Sequence, residues 1–422
     1  MAQKKRRPQG RFFVILLLLL ALIAGTVWAA SGGMWQLMRG EQAQATPSPE
    51  PTVEQAQATP TPEPTPQPPV DIQISVVGDV MTHDNQIKSA KNEDGTYSFE
   101  DVFATIAPTL SRADLTLANL ETTCAGEAAR GYTGYPTFNS PETLLDALKG
   151  AGVDVLTLAN NHICDRKKDG IINTVQNVAD RGFMQTGAFA TQEDAEKILI
   201  ADVKGVKVAI LAYSYAFNGM EETIPQEDRS WMLNQIDMGK IKRNIKKAKE
   251  EGADVVICCV HWGEEYTRQP NATQKKQADE ILSLGCDIIF GSHPHMLQPI
   301  ERRTVTNSDG STREALVVWS LGNFLSDQRA QYKDTGMMVE VNLQKDMQTG
   351  AITIGEVGYT PTYVARTPRS DGLYNYRIVP SGQYDQDEIL QLMDAEGKKR
   401  VAQTWSEATT LIGSEAAEPR KD

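Results

Sequence analysis

The five histidines of the chain all lie in short polar clusters that follow apolar runs. In chain order, the clusters with potential metal-binding side chains read GDVMTH (78–83), NLE (119–121), NNH (160–162), HWGEEY (261–266), GSHPH (291–295) and SLGNF (320–324). Imidazole, carboxylate and amide oxygen are the groups that bind borderline divalent cations without thiolate. A single histidine after a strand is usually a structural residue, but the grouping of all five favours a metal site.

Such residues could hold two cations. Two cations about 3.5–4 Å apart can share a carboxylate and a water, lower the pKa of that water toward about 7, and stabilise charge on an attacked phosphoryl group. The two histidines of the 291–295 cluster are two residues apart, which could place their imidazoles near neighbouring metals. A protonated His162 beside the site would suit proton donation to a leaving group. The sequence therefore predicts one or two divalent ions, with Mn, Fe or Zn expected.

Short apolar runs must position these clusters. They cover residues 72–77, 114–118, 153–158, 206–212, 255–260, 287–290 and 316–319. Runs that are apolar on both faces suit buried strands. Helical patterns at 141–149, 238–251 and 272–284 lie between them, and this alternation predicts an α/β layered domain. In open α/β sheets ligands bind beyond the carboxyl ends of the strands, so we expect the clusters to meet at one edge.

The pattern changes after residue 336. Residues 337–343 and 351–359 predict a strand pair joined around Gly350, and residues 386–407 predict an amphipathic helix. A polar tail is expected from Gly413 onward. We interpret this part as a C-terminal extension packed on the main domain.

The N-terminal segment combines a basic run with an uncharged stretch. Residues 1–11 contain five Lys or Arg and are predicted to form a cytoplasmic tail, and the nineteen residues 12–30 carry no charge. As a helix they would cover about 28 Å of a hydrocarbon core roughly 30 Å thick. Because a basic flank tends to stay in the cytoplasm, this predicts a single-pass cell-membrane protein with its C-terminal domain outside. A cleaved signal peptide is the alternative, since residues 27–29 loosely match a cleavage site; both imply export.

Composition divides the remaining chain into three parts. Residues 31–69, rich in Pro, Thr and Gln, predict a disordered stalk. Residues 70–364 are predicted to form the main domain and residues 365–422 the C-terminal extension and tail. The chain carries −13 overall, with six positive and no acidic charges in the first forty residues, which leaves −19 for the rest. Such an acidic chain argues against nucleic acid as a partner.

Cysteine usage is less informative. The chain has five cysteines and no Cys-x-x-Cys, so neither a zinc knuckle nor a full disulfide framework is indicated. Cys124 and Cys164 each follow one of the polar clusters. They could be bridged outside the cell or remain free.

The ordered motifs GDVM, NLET, ANNH, VHWGEEY, GSHPH and SLGNF resemble the bacterial capsule-synthesis CapA family, also called the poly-γ-glutamate capsule biosynthesis family. That family is a branch of the calcineurin-like metallophosphoesterase superfamily. The resemblance covers residues 72–324. It implies an αββα sandwich of two sheets, here followed by the C-terminal extension.

The resemblance also implies a role for each motif residue. The implied metal ligands are Asp79, Glu121, Asn161, His261, His293 and His295, with Glu121 bridging, His295 on the first metal, and Asn161, His261 and His293 on the second. It implies His162 as the catalytic imidazole. Two residues depart from the superfamily pattern: Met81 stands where a histidine is usual, and Glu121 replaces an aspartate. His83 could substitute as a ligand, or the site could hold a single metal.

The motifs define a site and leave its substrate open. Glu265, Tyr266 and Asn323 are candidate substrate-binding residues in the same clusters. The first functional hypothesis is a role in making or exporting a capsule or poly-γ-glutamate, with an anionic extracellular polymer as substrate and membrane components of a polymer synthase as partners. The second is a secreted metal-dependent phosphoesterase acting on a phosphate ester. The third is a non-catalytic metal-binding subunit of a synthase complex.

Overall fold

Two β-sheets stack face to face in the computed structural model, which describes residues 68–307 and 309–422. The strands are β1 (Val70–Val80), β2 (Leu115–Leu120), β3 (Val155–Thr157), β4 (Met184–Thr186), β5 (Leu199–Val203), β6 (Val206–Ser214), β7 (Val255–His261), β8 (Ile288–Ser292), β9 (Ile300–Thr306), β10 (Thr312–Val318), β11 (Asn323–Leu325), β12 (Thr335–Lys345), β13 (Ile352–Pro368), β14 (Tyr374–Pro380) and β15 (Glu418–Pro419). All seven apolar runs singled out in the sequence lie on strands.

Helices cover the outer faces of both sheets. They are α1 (Asp84–Ala90), α2 (Glu100–Phe103), α3 (Ala107–Leu110), α4 (Thr143–Gly150), α5 (Lys167–Asp180), α6 (Gln192–Ala195), α7 (Gln226–Met232), α8 (Met238–Glu250), α9 (Ala272–Ser283), α10 (Asp387–Leu390) and α11 (Ala395–Ile412), with short 3₁₀ turns at Met220–Thr223 and Ser381–Gln383. Side-chain caps fix the starts of α8 and α9: Asp237 accepts from the Lys240 amide, and Asn271 forms a capping box with Gln274.

The first sheet has the strand order β14-β13-β12-β1-β2-β3-β4, with β11 paired to β1 and β15 to β13. The second has the order β5-β6-β7-β8-β10-β9. Strands β1, β2, β3 and β4 run parallel, as do β6, β7, β8 and β10. The carboxyl ends of each parallel set therefore lie at one edge of its sheet.

Three apolar cores explain the layering. Residues such as Ile74 and Leu117 of the first sheet pack against Ile257 and Leu316 of the second. A second core joins the other face of the first sheet to helices α4 and α5, and a third joins the second sheet to α8 and α9. The central strands β1, β2, β6, β7 and β8 bury apolar side chains on both faces, which their sequence runs predict. The predicted αββα sandwich is thus confirmed for the described residues.

The C-terminal region belongs to the first sheet. Strands β12 and β13 form the predicted antiparallel pair, and β13 runs without interruption through residue 364, where the sequence places a domain boundary. The predicted single helix 386–407 is wrong: the chain forms α10 and α11, because Asp394 caps a new helix by accepting from the Gly397 amide. The expected polar tail contributes β15, which pairs with β13.

The remaining predictions concern the N-terminal anchor and stalk and the cysteines Cys124 and Cys164. The anchor at 12–30 and the stalk at 31–69 lie outside the described residues, except for the last two stalk positions. Among the residues that are described, no helix combines the length and apolar character needed to cross a membrane. Cys124 and Cys164 are both buried free thiols.

Candidate metal centre

The predicted ligands meet at one place because the carboxyl ends of both parallel strand sets face the same region. Asp79 lies near the end of β1, Glu121 directly follows β2, and His261 ends β7. Gly78 permits this arrangement, since a Cβ there would lie 2.0 Å from the carbonyl oxygen of Gly322. The absence of a side chain lets β1 approach the segment before β11, which places Asp79 beside Asn323 in register.

Glu121 occupies the centre of the site. Its side chain is fully buried, and neither carboxylate oxygen has a hydrogen-bond partner among the described residues. One oxygen lies 3.4 Å from His261 Nε2 and 3.8 Å from His295 Nε2. Burial, followed by repulsion from Asp79, raises the pKa of Glu121 well above its usual range. A buried carboxylate without donors is costly, and a divalent cation between it and the histidines would compensate that cost. The residues present therefore fit a metal ion.

Asp79, His295 and Asn323 form what we call the Asp79 group. His295 Nδ1 lies 3.2 Å from Asp79 Oδ2 and 3.0 Å from Asn323 Oδ1. Both neighbours are acceptors, so Nδ1 carries a proton and donates it, and Nε2 faces Glu121. Burial opposes the charged form of His295, but attraction to Glu121 and Asp79 raises its pKa to about 9. Burial likewise opposes ionisation of Asp79, yet the hydrogen bond with His295 lowers its pKa to about 2.

Asn161, His261 and His293 form what we call the His261 group. His261 Nε2 lies 2.8 Å from Asn161 Oδ1, and the rings of His261 and His293 are 4.8 Å apart. His293 Nδ1 is buried without a partner among the described residues. Burial lowers the pKa of His261 to about 3 and that of His293 to about 2, so both rings are neutral at physiological pH. Neutral imidazole is the form that binds a metal.

The spacing of these atoms matches a coordination shell. Ligand atoms about 2.0–2.2 Å from one metal stand roughly 3.0–3.5 Å apart in octahedral or tetrahedral geometry. The separations of 2.8 Å from Asn161 to His261 and 3.4 Å from His261 to Glu121 are close to this range. Two sets of potential ligand atoms share Glu121, one with His261 and His293 and the other with Asp79 and His295, each within 4.8 Å. Two metals sharing Glu121 are compatible with this arrangement.

Backbone strain accompanies the GSHPH segment. His293 and His295 both have positive φ, 97° and 55°, where non-glycine residues are uncommon. Such conformations cost about 1–3 kcal/mol each and cluster at functional sites. The segment that follows β8 adopts these conformations, and they direct both imidazoles toward Glu121.

His162 stands beside the ligands and is held by a carboxylate. Its Nδ1 lies 2.7 Å from Asp165 Oδ2, which also accepts the Phe138 amide at 2.6 Å. Burial disfavours the charged ring, but the hydrogen bond and charge of Asp165 outweigh it and raise the pKa of His162. Nε2 remains as the atom able to exchange a proton with a substrate. The ring edge packs on Phe138 at 4.7 Å, which fixes its plane.

The remaining predicted residues are placed differently. His83 Nδ1 accepts the Asp327 amide at 3.2 Å, and its ring lies outside the potential ligand groups found in the described residues. The substitution of His83 as a ligand stays a prediction. Asn323 is buried, donates to the carbonyl of Lys333 and lies beside His295, and its role in substrate binding stays a prediction as well. Exposed Glu265 forms a potential ligand group with His293 and His295, and Tyr266 is 43% exposed above His295.

Four residues escaped the sequence-based prediction. Asn119 donates to Asp79 at 2.8 Å and lies 3.3 Å from His261 Nδ1, so it links the two groups. Tyr215 packs 4.4 Å from the ring of His293, and Lys333 lies over Tyr266. Asp165, three residues after His162, had a signal in the sequence, since a carboxylate often follows a catalytic imidazole it orients. Lys333 had none.

An αββα sandwich with two potential ligand groups around one unpaired buried glutamate defines an α/β protein with a candidate metal centre. The chain belongs to the family described as bacterial capsule synthesis protein PGA_cap, whose model matches residues 73–328.

Two characterised relatives agree with this membership. The chain is 29% identical over 276 residues to the capsule biosynthesis protein CapA of Bacillus anthracis, covering 65% of this chain and 64% of that protein. It is 27% identical over 284 residues to the PGA biosynthesis protein CapA of Bacillus subtilis strain 168, covering 65% and 68%. The matched region thus spans slightly less than two thirds of the B. anthracis protein.

Solved structures show weaker similarity. The calcineurin-like phosphoesterase YfkN from B. subtilis has 15% identity and a TM-score of 0.41, covering 81% of this chain and 99% of that one. A phosphatase from Mycoplasma pneumoniae has 15% identity and a TM-score of 0.40, covering 69% and 94%.

Proposed function

We propose that this protein acts outside the cell membrane in the synthesis or export of a capsule polymer or poly-γ-glutamate, through a divalent-metal centre. The observation that carries the proposal is the buried Glu121 carboxylate, which has no partner among the described residues and faces His261 and His295. Membership in a capsule synthesis family supports the biological role. The expected substrate is an anionic extracellular polymer.

The proposed chemistry is hydrolysis or transfer at a bond of the polymer. Bound divalent cations would polarise the reacting bond and activate a water molecule. The chain itself would contribute His162, whose protonated form is favoured by Asp165 and whose Nε2 can donate a proton to the leaving atom. Because His162 is buried, bulk water would have little access to this proton.

A metal-dependent phosphoesterase is the second candidate function. The His162–Asp165 pair favours it over a purely metal-binding subunit, because a binding platform does not need an oriented proton donor. Phosphate esters and polymer amides both require protonation of a leaving atom. The two candidates therefore differ in substrate and share the site.

The decisive experiment is turnover by the purified full chain in detergent, after metal removal and after addition of Mn²⁺ or Zn²⁺. Poly-γ-glutamate and bis(p-nitrophenyl) phosphate serve as the two substrates. We expect metal-dependent cleavage of the polymer, and faster turnover of the phosphodiester would favour the second candidate. A chain that binds no metal would contradict both. The double variant His293→Ala with His295→Ala is expected to lose most bound metal, and unchanged metal content would refute the assignment of these ligands.

We also propose that residues 12–30 anchor the protein, with membrane components of a polymer synthase as partners. The uncharged stretch and its basic flank support this orientation. The intact protein should fractionate with membranes. Protease added to cells without their wall should cut within residues 41–69, and full protection of that segment would exclude the orientation.

A further inference from the structure

Lys333 lies over the exposed Tyr266 ring at the solvent-facing opening of the metal centre, which we call the mouth. Its ammonium lies 3.0 Å from the centroid of the Tyr266 ring, and the side chain is half-buried. Within residues 68–307 and 309–422 it forms no salt bridge. A cation over an aromatic face is attracted by the ring, by about 0.5–2 kcal/mol depending on exposure. The ring therefore fixes the ammonium, which forms no direct ion pair, although the negative charge of Glu265 acts on it from nearby.

The position of Lys333 is tied to the metal ligands through two routes. Its carbonyl accepts the Asn323 side-chain amide at 2.8 Å, and Asn323 also contacts His295 at 3.0 Å. The Tyr266 ring lies 6.0 Å from the ring of His295. A group bound by the Lys333 ammonium would thus sit next to the reacting atoms.

Tyrosines surround this mouth. Tyr135, Tyr215 and Tyr266 are three of the four exposed large apolar side chains in the described part of the chain, with exposures of 73%, 37% and 43%. Tyr215 lies against His293, Tyr266 lies near His295, and Tyr135 packs on Phe138 beside His162. Exposed aromatic side chains gathered at one place mark a binding surface. A surface with rings on three sides suits an extended chain better than a small ester.

The C-terminal helix α11 holds the segment that carries Lys333. Asp334, which is 3% exposed, accepts two hydrogen bonds of 2.8 Å from Arg400 of α11. Glu407 of the same helix accepts from Gln331 at 2.7 Å. Bidentate Arg–carboxylate pairs with little solvent access fix geometry well. Gln331 and Asp334, on either side of Lys333, are therefore both hydrogen-bonded to helix α11.

We propose that Lys333, held on the Tyr266 ring, is the residue that selects an anionic chain by binding one of its acidic groups beside the metal centre. The inference rests on the proposed function and deepens it. With a net charge of −13, the chain as a whole repels a polyanion, so a local cation is needed where the polymer enters. Lys333 and Arg400 lie outside the family match at residues 73–328, which allows this selection to differ between family members.

The test is binding of fluorescein-labelled poly-γ-glutamate to the full chain in detergent, followed by fluorescence anisotropy at low and high salt. The metal content of each preparation is measured first, and EDTA is then added to prevent cleavage of the probe. Neutral labelled dextran is the second probe. Lys333→Gln should weaken poly-γ-glutamate binding about tenfold at low salt, because a charged contact is lost, and should reduce the salt dependence. Lys333→Arg should restore most of the affinity. Arg400→Gln should weaken binding in the same direction while leaving metal content unchanged.

Lys91→Gln is the matched control, because Lys91 lies 5.7 Å from the Tyr97 ring at the opposite end of α1 from His83. It changes net charge equally and should bind the polymer as the wild type does. If Lys333→Gln keeps wild-type affinity with normal metal content, the inference fails and the proposed function stands. If the wild type prefers dextran or binds neither polymer, the inference and the polymer function fail together.

Discussion

The two ligand groups on either side of Glu121 differ in the charges of their side chains. The Asp79 group contains an ion pair, since the pKa of Asp79 is lowered to about 2 and that of His295 is raised to about 9. The His261 group contains neutral imidazoles and a His293 nitrogen with no partner in the described residues. The first group can satisfy its charges internally. The second contains two imidazole rings that are already neutral and lie close together.

The two neutral rings of the His261 group would therefore release no net proton on binding a metal. The Asp79 group must give up the His295 proton before Nε2 can become a ligand. The ion pair would therefore lower the affinity of the Asp79 group for a metal. Glu121 serves both groups, so its own protonation affects them together.

The largest expected effect comes from removing the shared carboxylate. Glu121→Gln keeps the shape of the side chain, yet it should lose most bound metal from both groups and reduce turnover to the metal-free level. The metal-free variant should be at least as stable as the metal-free wild type, because it no longer buries an unpaired carboxyl group. Metal analysis by mass spectrometry and urea unfolding measure the two effects. Retention of two metals would show that the groups are independent.

The next effect separates chemistry from binding. His162→Ala should keep its metal and fold but lose turnover by about 10²-fold or more, the usual contribution of general acid catalysis. Turnover and metal content are measured on the same preparation, with Asp79→Ala as the variant that should lose metal as well. Unchanged turnover and unchanged polymer production in the cell would favour the binding-platform function.

A smaller effect tests the two groups against each other by pH. In His261→Ala, which relies on the Asp79 group, metal affinity should rise about tenfold per pH unit up to about 9, because one proton must leave His295. In His295→Ala the histidine contribution to this slope should vanish. Calorimetric titration between pH 6 and 9 gives both slopes. Without metal, the raised pKa of His295 stabilises the fold below about 6.5, and this contribution is lost as pH rises through about 9. Equal slopes in both variants would refute the assignment of the proton to His295.

The smallest effect concerns Asp165. Asp165→Asn keeps the imidazole in place, so turnover should fall by only about tenfold. Because the carboxylate no longer raises the pKa of His162, activity should be lost at a lower pH than in the wild type. A pH–rate profile measures this shift of the basic limb. An unmoved basic limb would show that His162 is not the group that must stay protonated.

The sequence predicted the sheets and most of the site because both depend on local patterns. Strand runs apolar on both faces and polar clusters at their ends are visible without tertiary contacts, and they led to Asp79, Glu121 and His261. His83 could not be judged this way, since its role depends on an amide donated by Asp327 more than two hundred residues away. Lys333 likewise depends on Tyr266, which lies on a different segment of the chain.

Strand β1 also sets the direction in which the metal centre faces. The chain enters the described domain at Val70, at one end of β1, and Asp79 lies nine residues further on, near the other end. At about 3.3 Å per residue, this separates the point of entry from the centre by roughly 30 Å. The candidate metal centre and the point where the chain enters the described domain therefore lie at opposite ends of the same strand.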